Sequence, residues 1–113
     1  MMKKITQVKT KKLQISAQKL RLVADLVRGK DLSEAMEILT FVNKKGAKLL
    51  LKSLKSAAAN MDKLYGLTPD KVRVARLMIG EGRTAKRGRF VSRGRWRRIF
   101  KRTSQINLLV EEK

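Results

Sequence analysis

Apolar residues along this chain repeat with two different periods, and the places where the period changes divide it into elements. Ile5 to Ile15 mixes β-branched with basic residues and predicts a first strand, ended by Ser16, which also suits a helix N-cap. From Ala17 the spacing is helical. Leu20, Val23, Ala24 and Val27 fall on one side, Gln18, Arg21, Asp25 and Arg28 on the other, and Gly29 is placed to close the helix. Asp31 followed by Glu34 reads as a variant capping box, and Leu32, Ala35, Leu39 and Val42 continue through a short second helix. A third helix spans about Lys44 to Leu64. Ala47, Leu50, Leu51, Leu54, Ala57, Ala58 and Met61 form its inner stripe, and Lys48, Lys52 and Lys55 its outer one, before Gly66 and Pro69 end it.

Beyond Pro69 the period is that of a strand. Val72 to Ile79 is rich in β-formers, Gly80 to Gly82 interrupts it, and alternation returns where Ile106, Leu108 and Val110 interleave with Gln105, Asn107 and Leu109. Two strands flanking a long polar stretch are most simply joined as a hairpin. The expected fold is therefore α+β, with three helices packed on a small three-stranded antiparallel sheet and a long protruding basic β-hairpin. A chain of 113 residues fits a single domain over residues 1–113, with residues 83–102 as an extended arm.

Charge turns that outline into a functional expectation. The chain carries 29 basic and 9 acidic residues, a net charge of +20. Basic against acidic residues run 9 to 1 over residues 1–30, 6 to 5 over 31–70 and 14 to 3 over 71–113, so both ends are basic and the middle nearly neutral. Both basic parts also hold Val, Leu, Ile or Phe, which distinguishes them from disordered tails. Arg83 to Arg102 alone has ten basic residues and no acid, and like charges this dense require a polyanion to neutralise them. Nucleic acid is the expected partner.

The same composition narrows the chemistry. The chain has no cysteine and no histidine, which removes disulfides, Cys or His metal sites and the side chain most used for proton transfer near neutral pH. Asp31, Glu34 and Glu37 are the only clustered carboxylates, and their place in a first helical turn is explained by capping and the helix dipole. Gly80, Gly82 and Gly88 precede no helix and match no phosphate loop. No stretch approaches the roughly 20 apolar residues of a membrane span, and the opening Met-Met-Lys-Lys-Ile-Thr-Gln does not resemble a signal or transit segment. No reaction, cofactor, metal or small-molecule substrate is expected, and the expected location is intracellular.

Within the arm, Arg87, Arg89, Arg93, Arg95, Arg97 and Lys101 occupy odd positions, whereas Phe90, Gly94, Trp96 and Phe100 occupy even ones. On a β-ribbon this separates charge from rings. Guanidinium groups would meet phosphates, and Phe90, Trp96 and Phe100 would be candidates for stacking on unpaired bases, the alternative being packing of Trp96 and Phe100 across the hairpin. Arginine outnumbers lysine here by eight to two, which suits bidentate phosphate contacts.

Three blocks together resemble one family, the large-subunit ribosomal protein twenty-two. They are SAQKLRLVADLVRGK at residues 16–30, AMEILTFVNKKGAKLLLKSLKSAAAN at 35–60, and EGRTAKR at 81–87 joined to GRWRRIFKRTSQI at 94–106. The resemblance implies a structural, non-enzymatic constituent of the large ribosomal subunit that binds its RNA, supports assembly and extends a hairpin to the wall of the peptide exit tunnel. It implies RNA contacts from Lys86, Arg87, Arg95, Lys101 and Arg102, which match the motif. The wider expected set adds Lys9, Lys11, Lys12, Lys19, Arg21, Arg28, Lys44 and Lys45 in the body, and Arg83, Arg89, Arg93, Arg97 and Arg98 in the arm. Neighbouring ribosomal proteins and the nascent polypeptide are the other implied partners, in a cytoplasmic or organellar ribosome. The implied tunnel tip, Arg89 to Arg93, departs from the family: Phe90-Val91-Ser92 stand where Pro-Arg-Ala is usual. Arg83, Trp96 and Gln105 likewise replace the usual proline, small residue and histidine.

Three other classes compete with this reading. An architectural DNA-binding protein with basic β-arms would share the ribbon but usually carries a proline wedge at the arm tip, and the one proline here, Pro69, lies outside it. An RNA-processing enzyme is disfavoured by the missing histidine and sparse carboxylates. A membrane-active cationic protein would combine charge and apolar surface in one helix, whereas the densest charge here falls in the hairpin.

Overall fold

A computed structural model describes residues 4–82, 85–91 and 95–113, with side chains described for 4–82 and 102–113. The elements are β1 (Ile5–Leu13), α1 (Ala17–Ala24), α2 (Leu32–Phe41), α3 (Lys45–Tyr65), a 3₁₀ turn (Pro69–Lys71), β2 (Val72–Glu81), β3 (Ala85–Val91), β4 (Arg95–Lys101) and β5 (Ser104–Glu112). β1, β5 and β2 form a three-stranded antiparallel sheet in that order, and β3 pairs with β4. The fold is α+β, as the periodicities predict.

Local chemistry sets most boundaries. Ser16 caps α1, its hydroxyl accepting from the Lys19 backbone N–H at 3.4 Å. Gly66 closes α3 in the left-handed region at φ 67, where a side chain would be strained. α1 ends three residues before its apolar stripe does. The backbone from Leu26 onward tightens, with Leu26 and Val27 donating to Val23 and Ala24, yet Val27 stays fully buried. The capping box is also altered. Asp31 holds the N-cap position of α2, but its side chain makes no bond to the helix and instead accepts from Lys113 Nζ at 2.6 Å.

The sheet is covered on one side. β5 contributes Ile106, Leu108 and Val110 to the core, and β2 contributes Val72, Val74, Leu77 and Ile79, packed against Leu20, Val23 and Val27, Leu32 and Leu39, and Leu50, Leu54 and Met61 from the three helices. The inward phase of β2 jumps between Val74 and Leu77 because the register shifts there by one residue, a bulge that keeps apolar residues inward at both ends. β1 has its own register shift between Thr10 and Leu13, where Lys12 adopts φ 60. Across the covered interface the Thr10 and Ser53 hydroxyls lie 3.0 Å apart as a hydrogen-bonded pair.

The outer ends of β2 and β5 run into the β3–β4 ribbon. Glu81 lies opposite Ser104, the Gly82 N–H donates to the Thr103 carbonyl at 2.9 Å, and Ala85 lies opposite Lys101. Gly82 leaves room at this junction: a Cβ there would fall 2.5 Å from Thr103 Oγ1 and 3.3 Å from its carbonyl carbon, so Thr103 would have to shift. The molecule measures 66 × 27 × 19 Å with a radius of gyration of 17.3 Å, against about 13 Å for a compact chain of this length.

Three substitutions test this packing by urea denaturation. Leu54→Ala, in the centre of α3, is expected to cost about 2–5 kcal/mol, whereas Lys52→Ala on the exposed side should stay within about 0.5 kcal/mol. Gly82→Ala is expected to cost about 1–3 kcal/mol through displacement of Thr103.

Candidate nucleic-acid interface

The structure sorts the cations into those already used inside the fold and those left to meet something else. β2 is an edge strand, and its outer carbonyls are covered by arginines from α1 and the turn after it. Arg21 Nη2 donates to Ile79 O at 3.1 Å, and Arg28 donates from Nε and Nη2 to Leu77 O at 3.2 and 3.0 Å while its Nη1 pairs with Asp25. These guanidinium groups protect a strand edge, a structural role that their spacing in the sequence does not disclose. Arg73 is likewise engaged with Glu111.

A second group converges. Gln14, Ile15, Ser16, Lys19, Lys45 and Arg102 line a cleft of about 400 Å³ where the ribbon joins the body. Its three cations come from α1, from α3 and from the link between β4 and β5, and no carboxylate lines it. Lys45 Nζ donates to Gln14 O at 2.7 Å, leaving further donors on the ammonium group. Lys44, the N-cap of α3, makes no side-chain cap, so the positive end of that helix dipole adds to the field beside it. An anion is the ligand such a site accepts.

Lys9, Lys11 and Lys12 form a third group along β1. Lys9 and Lys11 point away from the helices, and the bulge turns Lys12 outward as well, so two consecutive lysines are exposed on one strand. None of Lys9, Lys11, Lys12, Lys19, Lys44 or Arg102 pairs with a carboxylate among the described residues. Lys9 and Lys11 also line a depression on the uncovered side of the sheet, with Met78, Gly80, Gln105 and Asn107.

For the arm the backbone register is described. Arg89 lies opposite Arg97, Phe90 opposite Trp96, Lys86 opposite Phe100, Arg87 opposite Ile99, Gly88 opposite Arg98 and Val91 opposite Arg95. Odd positions therefore face odd and even face even, so the alternation of charge and rings is in phase on the two strands. Arg83, Ser92 and Arg93 lie outside the described residues, as do the side chains of the other arm residues named above.

The chain matches the family described as Ribosomal protein L22p/L17e over residues 8–111, a span that takes in the three helices, β2 to β4, most of β1 and β5, and the cation groups just described. It belongs to that family. As a Ribosomal protein L22p/L17e family member it is a structural constituent of the large ribosomal subunit, a ribonucleoprotein component acting in translation, and its place is in the ribosome. The family is structural rather than enzymatic, which favours this reading over the DNA-binding and RNA-processing alternatives. Among the described residues no helix is long and apolar enough to cross a membrane.

Thermal unfolding distinguishes the two kinds of cation. Arg28→Ala is expected to destabilise by about 1 kcal/mol, a value discounted for its partial exposure, because it uncovers the Leu77 carbonyl. Lys19→Ala should change stability by less than about 0.5 kcal/mol, having no carboxylate partner to lose.

Proposed function

We propose that the protein binds large-subunit ribosomal RNA through two basic regions, the body groups described above and the arm at residues 83–102, and that it supports folding of that RNA during assembly. The observation that carries this is the cleft where Lys19, Lys45 and Arg102 meet without a carboxylate. Three positive groups brought together from distant parts of the chain repel one another, and a phosphate between them removes that repulsion. The chain acts as one domain with the arm projecting from it, and the arm reaches the wall of the peptide exit tunnel. There its tip, Arg89 to Arg93, lies beside a neighbouring ribosomal protein and the nascent polypeptide.

In this reading Arg87, Arg89, Arg95, Arg97 and Lys101 place charge along the phosphate backbone, and Phe90, Trp96 and Phe100 stack on unpaired bases. Arg83, Lys86, Arg93 and Arg98 add to the same field. Lys9, Lys11, Lys12 and Lys44 extend it over the body. Support comes from the family, from the in-phase register of the ribbon and from a charge of +20 that no internal partner balances. The ribosome concerned is cytoplasmic.

Binding to large-subunit RNA is expected to weaken with salt. If all ten arm charges meet phosphates of unpaired RNA, log K falls against log[salt] with a slope of about −7, steeper still with the body contacts. Replacing Lys19, Lys45 and Arg102 together by glutamine should make that slope shallower by about 2, as three phosphate contacts are lost. A slope near zero for the unaltered protein would reject phosphate neutralisation as the driving force. In a gentle lysate the protein should sediment with large subunits, with crosslinks from Arg87 and Arg95 to their RNA.

A further inference from the structure

We propose that the uncovered face of the three-stranded sheet is a pocket for one unpaired RNA nucleotide, read by Gln105 and Asn107. This rests on the RNA-binding reading above and adds to it a site outside both the arm and the cleft at its base. The pocket is a depression of about 330 Å³ whose lining includes Lys9 and Lys11 on β1, Gln105 and Asn107 on β5, and Met78 and Gly80 on β2. That volume is at the small end for ligand sites, which span roughly 300–1,000 Å³, and suits one nucleotide rather than a helix.

The register builds it. Lys9, Asn107 and Met78 lie in one row across the sheet, and Gln105 and Gly80 lie in the next. Gln7 Nε2 donates to Asn107 Oδ1 at 2.8 Å, which occupies one lone pair of that oxygen and leaves the Nδ2 donors directed elsewhere. Gln105 lies over Gly80: a Cβ at position 80 would come within 3.0 Å of Gln105 Nε2 and 3.2 Å of its Cγ. The missing side chain thus gives the Gln105 amide its resting place, and that amide makes no hydrogen bond to a described residue. Beside it Met78, a large apolar side chain, is 54% exposed.

Each component suits a different part of a nucleotide. Amide groups with free donors and acceptors match the edge of a base, and the exposed thioether offers an apolar contact for its ring. The two lysines, with no carboxylate in the lining, complement phosphate. A base held in an A-form duplex presents its edge in a groove, too far from its own phosphates for this arrangement, so the nucleotide is one splayed from a loop or bulge. An acidic peptide would satisfy the lysines and leave the amides and Met78 unused.

Binding of the full chain to large-subunit RNA, measured across a salt series and combined with chemical probing of unpaired bases, tests the proposal. Gln105→Ala and Asn107→Ala should each weaken binding by about 3- to 10-fold with an unchanged salt slope, since no charge is lost. Each should also expose one nucleotide that the unaltered protein protects. Gly80→Ala, which displaces the Gln105 amide without removing it, should expose the same nucleotide. A normal salt slope with unaltered affinity and footprint in all three variants would overturn the pocket and leave the RNA-binding reading standing. Loss of affinity accompanied by a shallower slope would also overturn it, as it would mark a phosphate contact and not a base. Absence of salt dependence in the unaltered protein would remove the reading beneath it.

Discussion

β5 is hydrogen-bonded on both sides, to β1 along one edge and to β2 along the other, and nearly every other feature is placed relative to it. Its inward residues, Ile106, Leu108 and Val110, are the floor on which the helices pack. Burying that floor commits the alternate residues to the other face, because side chains along a strand project to opposite sides. Gln105 and Asn107 are outward for the same reason that their neighbours are buried. A slip of one residue would exchange the two sets, so the core that stabilises the fold also fixes which polar groups the open face presents.

The high charge is tolerable because the fold separates cations by task. Arg21 and Arg28 spend their donors on carbonyls of the β2 edge, where the fixed geometry of a guanidinium group serves as a substitute for a missing neighbouring strand. Arg73 and Lys113 are held by Glu111 and Asp31, which tie the end of β5 and the residue after it to β2 and to the start of α2. What remains includes positive groups on β1, at the base of the ribbon and along it, together with Lys48, Lys52 and Lys55 on the outer side of α3. A partner that neutralises them relieves repulsion that the isolated protein must bear, so association and stability are thermodynamically linked.

The helices were readable because burial imposes their period directly: every member of the predicted inner stripe of α3 is buried or half-buried. The bulge in β2 also left a trace, since Val72 and Val74 are followed by Leu77 and Ile79 with a step of three between the pairs. The left-handed Lys12 left none, as lysine is not a residue that signals positive φ. Nor could spacing alone show that Lys19, Lys45 and Arg102 line one cleft, because that depends on how three elements pack. Asp31 reads correctly as the N-cap of α2 but not in its bonding, as its carboxylate accepts from a lysine 82 residues away and not from the helix.

The junction at Gly82 and Thr103 has a mechanical consequence. Both legs of the ribbon enter the body side by side, so tension applied along it moves β2 and β5 together and leaves the ladder between them unloaded. The load passes outward instead. On one flank it falls on the β1–β5 ladder, which runs from Ile5 to Leu13 and is stressed in shear. On the other it falls on the bonds that Arg21 and Arg28 make to β2, on the Val74 N–H to Lys30 carbonyl bond and on the packing of Val72, Val74, Leu77 and Ile79 against the helices. The body is therefore an asymmetric anchor, a backbone ladder along β1 and side-chain packing with a few hydrogen bonds along the helices.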